Sequence, residues 1–397
     1  MLVVFSSIGL ARFAFGMVLP GMAGDLALDY RQQGILGASY FLGYLVVVSI
    51  LSRFPGGLGS RRLCVVGLLG VAVGLGGMST LTSYVMILSS YFIVGVGSGS
   101  AFIGAMSLVS QWFQPSHRGR GGGLIVAGAG IAILLSGYLV PRIPNAFDLP
   151  QWRLVWFVFS AATLLITLLS AILIRDRPAD LGLQAYGDAP VESKLSAVDE
   201  GEADSVLDWR FLLHLGAIYA LFGATGLTYT TFIVTTMIDE YSITATQAGL
   251  LWAIVGGLSI FSGGIFGYLS DQFGHRTGMF CAMTVQAVAF GLVATKSGPI
   301  LLYISCVLFG ISVFSMPAII SAAVGDYLGA KAAAAGFAAL TVMFAIGQVL
   351  GPAGAGFLAD WAGSFQAGFA VAMILNLIAA ALCLTLRSAP EKHLGSN

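Results

Sequence analysis

Twelve stretches of this chain run about 20 residues with almost no charge, and each is as long as a helix must be to cross ~30 Å of hydrocarbon. They cover, to within a few residues, 2–22, 34–54, 63–81, 84–109, 121–141, 152–174, 210–238, 247–270, 277–295, 299–325, 332–358 and 364–386. A backbone in lipid must satisfy its own N–H and C=O groups, and a helix does so within one segment. The chain therefore reads as an all-α membrane protein of twelve transmembrane helices. Only 9% of its 397 residues are charged, where a soluble domain carries about a quarter, so a soluble enzyme is set aside. Glycine, at 53 residues, is about twice its ordinary share, which suits helices whose backbones approach closely.

The few charges are unevenly placed. If the first helix starts in the cytoplasm, thirteen basic residues fall in inner segments, Arg61, Arg118, Arg210 and Arg276 among them, and four in outer ones: Arg31, Arg142, Arg153 and Lys296. Basic residues are retained on the cytoplasmic side, so both termini are expected inside. For a bacterial chain that means the inner membrane. The first apolar run begins at Met1 without a basic lead and continues past Pro20, which reads as a retained helix and not a removed signal. Formal net charge is zero, so nucleic acid is not an expected partner.

Residues 175–209 break the pattern: nine of the eighteen acidic residues lie between Arg175 and Asp208, with Pro178 and Pro190. This segment reads as a solvated cytoplasmic linker between a bundle over residues 1–174 and another over 210–397. The two bundles are related. An offset of 215 residues carries Gln32 onto Gln247, Gly34 onto Gly249, Leu36 onto Leu251, Gly59 onto Gly274, Arg61 onto Arg276, Gly95 onto Gly310 and Gly121 onto Gly336, and sets Asp25 on Glu240. A duplicated six-helix unit points to a carrier with a midplane site.

After the eighth span the chain reads Gly267-Tyr-Leu-Ser-Asp271-Gln-Phe-Gly274-His-Arg276. This resembles the G-x-x-x-D-x-x-G-x-R signature of the major facilitator superfamily, and the resemblance covers essentially the whole chain. It implies two pseudo-symmetric six-helix halves and a gating role for Gly267, Asp271, Gly274 and Arg276, with Gly59 and Arg61 in the matching first-half loop. That loop departs from the signature, since Ser52 and Gly56 stand where the first Gly and the Asp belong. The stretch from Gly9 through Arg12 to Pro20 is similar to YbfB/YjiJ-type carriers. Trp112 to Gly130, Trp152-Arg153 and Arg175 to Gly182 are similar to the oxalate/formate antiporter and monocarboxylate branch.

Arg12 is the one basic residue deep in a predicted span. Its insertion costs ~2.5–3.5 kcal/mol, so it is a functional candidate by default. Gly9 and Gly16 flank it at i−3 and i+4, leaving room for a substrate or a close neighbour. A guanidinium fork suits a carboxylate; the structural alternative is that Arg12 binds backbone carbonyls and holds helices together. On the seventh helix Thr225, Thr228 and Tyr229 share a face, and the resemblance implies that this helix borders the cavity. The competing account is back-bonding of Thr hydroxyls and packing of the Tyr ring. Tyr40 and Tyr44, at i and i+4 on the second helix, are weighed in the same way. Ser98, Ser100, Ser312, Ser315 and Gln348 are weaker candidates. No Asp or Glu lies centrally in a span, and His214 stands near a helix end without an acidic partner in sequence.

These features lead to a secondary active carrier, working by alternating access, for a small organic anion such as a monocarboxylate, by symport or exchange. Protons are a candidate coupling ion. The alternative is an efflux carrier for neutral or cationic amphiphiles, against which the missing membrane carboxylate counts. No HExxH, Walker lysine motif or GxSxG occurs, so no catalytic residue is assigned and an enzyme is not expected. Cys64, Cys281, Cys306 and Cys383 read as small core residues; no metal or cofactor is expected, and the protein is read as a monomer in the bilayer.

Overall fold

The computed structural model describes residues 1–51, 59–114, 117–145, 149–187 and 209–387, with the side chains of 329–334 outside that description. Twelve helices long and apolar enough to span a membrane occur among them: α1 (Leu2–Leu26), α2 (Tyr30–Leu51), α3 (Ser60–Thr80), α4 (Tyr84–Trp112), α5 (Arg118–Arg142), α6 (Gln151–Leu173), α7 (Trp209–Asp239), α8 (Ala245–Phe273), α9 (His275–Ala294), α10 (Pro299–Leu328), α11 (Ala335–Ala362) and α12 (Gln366–Thr385). Each expected run corresponds to one of these spans, the tenth being interrupted at Val313 and Phe314, between the helix Pro299–Ser312 and the helix that starts at Ser315. The expected break between the tenth and eleventh runs is bridged, since helical hydrogen bonding continues from Ser315 to Ala362. Phe113 and Tyr186 form an isolated β bridge.

Large apolar side chains such as Phe261, Leu173 and Ile300 lie exposed, as lipid-facing helices require and a water-soluble surface does not tolerate.

The chain forms two compact units. The first comprises Met1–Val18, Ser39–Ile133 and Ile143–Val206; the second comprises Leu19–Ala38, Leu134–Arg142 and Leu207–Asn397. Two short pieces of the first repeat thus belong to the second unit, and glycine explains both. A Cβ at Gly34 of α2 would lie 2.5 Å from the Pro352 carbonyl oxygen and 3.0 Å from the Gly356 Cα, both in α11. A Cβ at Gly137 of α5 would lie 2.5 Å from the Gly249 carbonyl oxygen in α8. Only a hydrogen fits at either crossing, so the backbones touch. In the first unit the Cβ position of Gly9 is filled by Ala132 of α5, so that face of α1 took a close neighbour.

The linker segment is partly structured. Asp176 Oδ1 accepts the Arg61 N–H at 2.7 Å, Trp112 Nε1 donates to the Arg175 carbonyl at 3.0 Å, and Pro178–Leu181 forms a short 3-10 turn closed by Gly182. Residues 188–208 lie outside the described residues.

Candidate functional site

Arg12 sits near the middle of α1, within a π-helical stretch, Phe5–Phe13. A π-helical turn is wider than an α turn and exposes carbonyls, and such stretches recur at functional sites. Here the Ser7 carbonyl accepts the Ser98 hydroxyl at 2.6 Å and the Tyr40 hydroxyl at 3.2 Å, while the Ala11 carbonyl accepts the Tyr91 hydroxyl at 3.1 Å. Helices α2 and α4 are thereby tied to the irregular part of α1.

The Arg12 guanidinium carbon lies 4.8 Å from the ring centres of both Phe13 and Phe41, within cation–π range. The hydroxyls of Tyr40, Tyr44 and Tyr91 lie in its neighbourhood. Tyr40 and Tyr91 are buried and pack together with ring centres 5.4 Å apart, and Tyr91 stacks on Phe15. Arg12, Tyr40 and Tyr44 therefore gather in one part of the first unit. A half-buried cation walled by aromatic rings and phenols can bind an anion by charge-assisted hydrogen bonds.

Thr225, Thr228 and Tyr229 lie in the second unit, where local partners occupy them. Thr225 donates to the Leu221 carbonyl at 2.9 Å and stands 3.3 Å from Asn376 Oδ1 of α12; Thr228 donates to the Ala224 carbonyl at 3.0 Å. The Tyr229 ring is stacked on Phe309 at 3.9 Å and set edge-on to Phe290 and Phe369, with its hydroxyl 2.8 Å from Ser305 Oγ. His214 Nε2 donates to the Leu382 carbonyl at 2.9 Å.

The signature loop follows α8. Gly274 holds φ of +86°, the left-handed region that a side chain disfavours, and so turns α8 into α9. Arg276 donates to the Leu384 carbonyl near the end of α12. Its repeat partner Arg61, beside Gly59 at the start of α3, donates to the Ala171 carbonyl near the end of α6 at 2.5 Å. Each cation thus meets the carbonyl end of the last helix of its own repeat, where the helix dipole is negative. Ser270, His275 and Asp326 link α8, α9 and α10 through contacts of 2.8 and 3.0 Å. With Asp271, Gly274 and Arg276 they line a cavity of about 530 Å³, and Gly267 lies one helical turn before Asp271.

Sequence reasoning missed the Ser7 and Ala11 carbonyls and their partner Tyr91, because no residue type announces a π-helical turn. The adjacent pair Ser6-Ser7 before Arg12 was the available signal: Ser6 Oγ lies 2.7 Å from Thr163 Oγ1 of α6. Among the described residues no cluster of three or more His, Cys, Asp or Glu could hold a metal ion.

Twelve membrane-length helices, a duplicated glycine-lined crossing and a signature loop that ties helix ends define a multi-pass membrane carrier. From residue 4 to residue 384 the chain matches the family described as uncharacterised MFS-type transporter YbfB, and it belongs to that family of the major facilitator superfamily. It is similar to a provisionally named tartrate transporter of Agrobacterium vitis, 25% identical over 96% of this chain and 88% of the relative. It is also similar, at 22% identity, to a quinolone resistance transporter of Acinetobacter baumannii (92% of this chain, 88% of the relative) and to a hexuronate transporter of Bacillus subtilis (91% and 87%). In fold it is similar to a bacterial homologue of the human lysosomal transporter Spinster, with a TM-score of 0.76 at 14% identity over 98% of both chains.

Proposed function

We propose that this transporter is a secondary active carrier of a small organic anion, a carboxylate held by Arg12 with Tyr40 and Tyr44, and that it works by alternating access. The observation that carries the reading is the guanidinium near the middle of α1, walled by Phe13 and Phe41 and close to three phenols. A cation kept in a membrane span is expensive unless it is used. The relatives named for tartrate and hexuronate support an anionic solute. Thr225, Thr228 and Tyr229 then serve the packing of α7, and Asp271, Gly274, Arg276, Gly59 and Arg61 serve gating. The excess of basic residues in the inner segments supports both termini in the cytoplasm and insertion in a bacterial inner membrane.

A second reading, efflux of amphiphilic compounds, is favoured by the relative named for quinolone resistance. Thermal denaturation of the purified protein with carboxylates, sugars and cationic amphiphiles separates the two. A ligand at 100 times its Kd stabilises by about 2.7 kcal/mol. A rise in melting temperature with carboxylates, lost in Arg12→Ala, supports the anion carrier; a rise with cations only, unchanged in Arg12→Ala, overturns it.

A further inference from the structure

Glu240, at the end of α7 in the second unit, has a carboxyl that the anion site does not use. Its Oε1 accepts the amide hydrogen of Phe365 at 2.6 Å, and Phe365 is the residue that opens α12. Its Oε2 is buried without a hydrogen-bond partner. The Phe365 ring stacks on Phe232 of α7 at 4.4 Å and meets the edge of Tyr30 of α2 at 4.8 Å. A Cβ at Gly356 of α11 would meet the Tyr30 carbonyl oxygen at 2.6 Å and the Gly34 Cα at 2.9 Å. One carboxyl therefore anchors the turn on which α2, α7, α11 and α12 converge.

A carboxylate oxygen buried without a donor is costly while charged and far less so once protonated. Burial raises the proton affinity of Glu240 above the ordinary carboxylate value, more than the Phe365 amide and the positive charge of Lys296 lower it, and Asp239 adds to the rise. Facing groups are Asp239 and Tyr241 beside it, Tyr30 from α2 and Lys296 from the turn after α9. The turn into α12, from Trp361 to Phe365, holds no charged residue.

We propose that Glu240 is a proton-binding site that governs closure of the α2–α11 seam: the closed seam takes up a proton on Oε2, and an opened seam returns the carboxyl to water and releases it. The closed arrangement binds the proton more tightly than a hydrated carboxyl does. Acid therefore favours closure, fully so below the ordinary carboxylate range, and closure weakens as pH rises through the raised value. The device belongs to the second repeat alone. Offset by 215 residues, Phe365 corresponds to Pro150, which has no amide hydrogen to give. It responds to the compartment at its own end of the bundle, whichever solute the carrier moves.

Spin labels on cysteines at Gly24, where a Cβ meets open space, and at Trp361, 85% exposed, report the seam by pulsed dipolar spectroscopy in nanodiscs. Between about pH 5 and about pH 9 the closed-to-open ratio should fall by up to about tenfold per unit across the titration. Glu240→Gln should abolish the response and keep the seam closed. Lys296→Met removes an attraction for the carboxylate and should move the transition to higher pH. A seam that ignores pH in the otherwise unaltered protein, an undiminished response in Glu240→Gln, or a shift to lower pH in Lys296→Met overturns the proposal. None of these readouts depends on a substrate, so failure of the anion reading leaves them interpretable.

Discussion

Gly34 of α2 crosses Gly356 of α11 so closely that neither position has room for a Cβ. Moved by 215 residues, Gly34 becomes Gly249, and moved back by the same number Pro352 and Gly356 become Gly137 and Pro141, the residues that Gly249 touches. One sequence offset thus maps one crossing onto the other. Valine at Gly34 or Gly249 should overpack its crossing by about 1–3 kcal/mol. Each variant is expected to lower uptake in proteoliposomes about 5- to 150-fold if that energy is lost from the closed arrangement. Gly24→Val, facing open space, is the matched control and should transport normally.

Arg12 offers a sharper test, because loss of its charge and loss of its fork can be separated. Arg12→Ala removes both, and Arg12→Lys keeps the charge without the planar pair of donors. If charge-assisted bonds worth about 1.5–3 kcal/mol hold a carboxylate, kcat/KM for that solute should fall about 10- to 150-fold in Arg12→Ala. Arg12→Lys should fall in between. Equal uptake in all three proteins, with unaltered elution from a sizing column, would remove Arg12 from the site.

Helix positions, the repeat and the place of Arg12 within the first helix were legible because they follow from where charge and glycine stand along the chain. Hydroxyls were not, since a Thr at a given spacing can face a cavity or bond back to its own helix. Thr225 and Thr228 do the latter, and Tyr229 is packed among Phe290, Phe309 and Phe369. Composition also overstated the linker. Its acids and prolines suggest solvated chain, yet Asp176 supplies a carboxylate to the start of α3, next to the loop whose signature Asp is replaced by Gly56.

That contact gives a proteolytic expectation. The Arg175 carbonyl accepts Trp112 Nε1, and Tyr186 exchanges backbone bonds with Trp112 and Gln114, so the bond after Arg175 is held away from a protease; the bond after Arg177 leads into Pro178 and is not a trypsin site. Trypsin should cut after Lys194 before it cuts after Arg175, as mass spectrometry of the first fragments would register. Asp176→Ala should advance cleavage at Arg175 and cost about 1 kcal/mol, the usual worth of a helix N-terminal cap.

Tyr229 separates packing from binding most directly. Tyr229→Phe keeps the stack on Phe309 and deletes the hydroxyl that meets Ser305 Oγ. Ser305 retains its own bond to the Ala289 carbonyl at 2.7 Å, so the substitution leaves no buried donor stranded. The expected cost is about 0.5–1.5 kcal/mol, a single neutral hydrogen bond, seen as a small fall in melting temperature. If Tyr229 serves only the bundle, KM for the transported solute should be unchanged. A tenfold rise in KM at constant kcat would instead place its hydroxyl on the substrate.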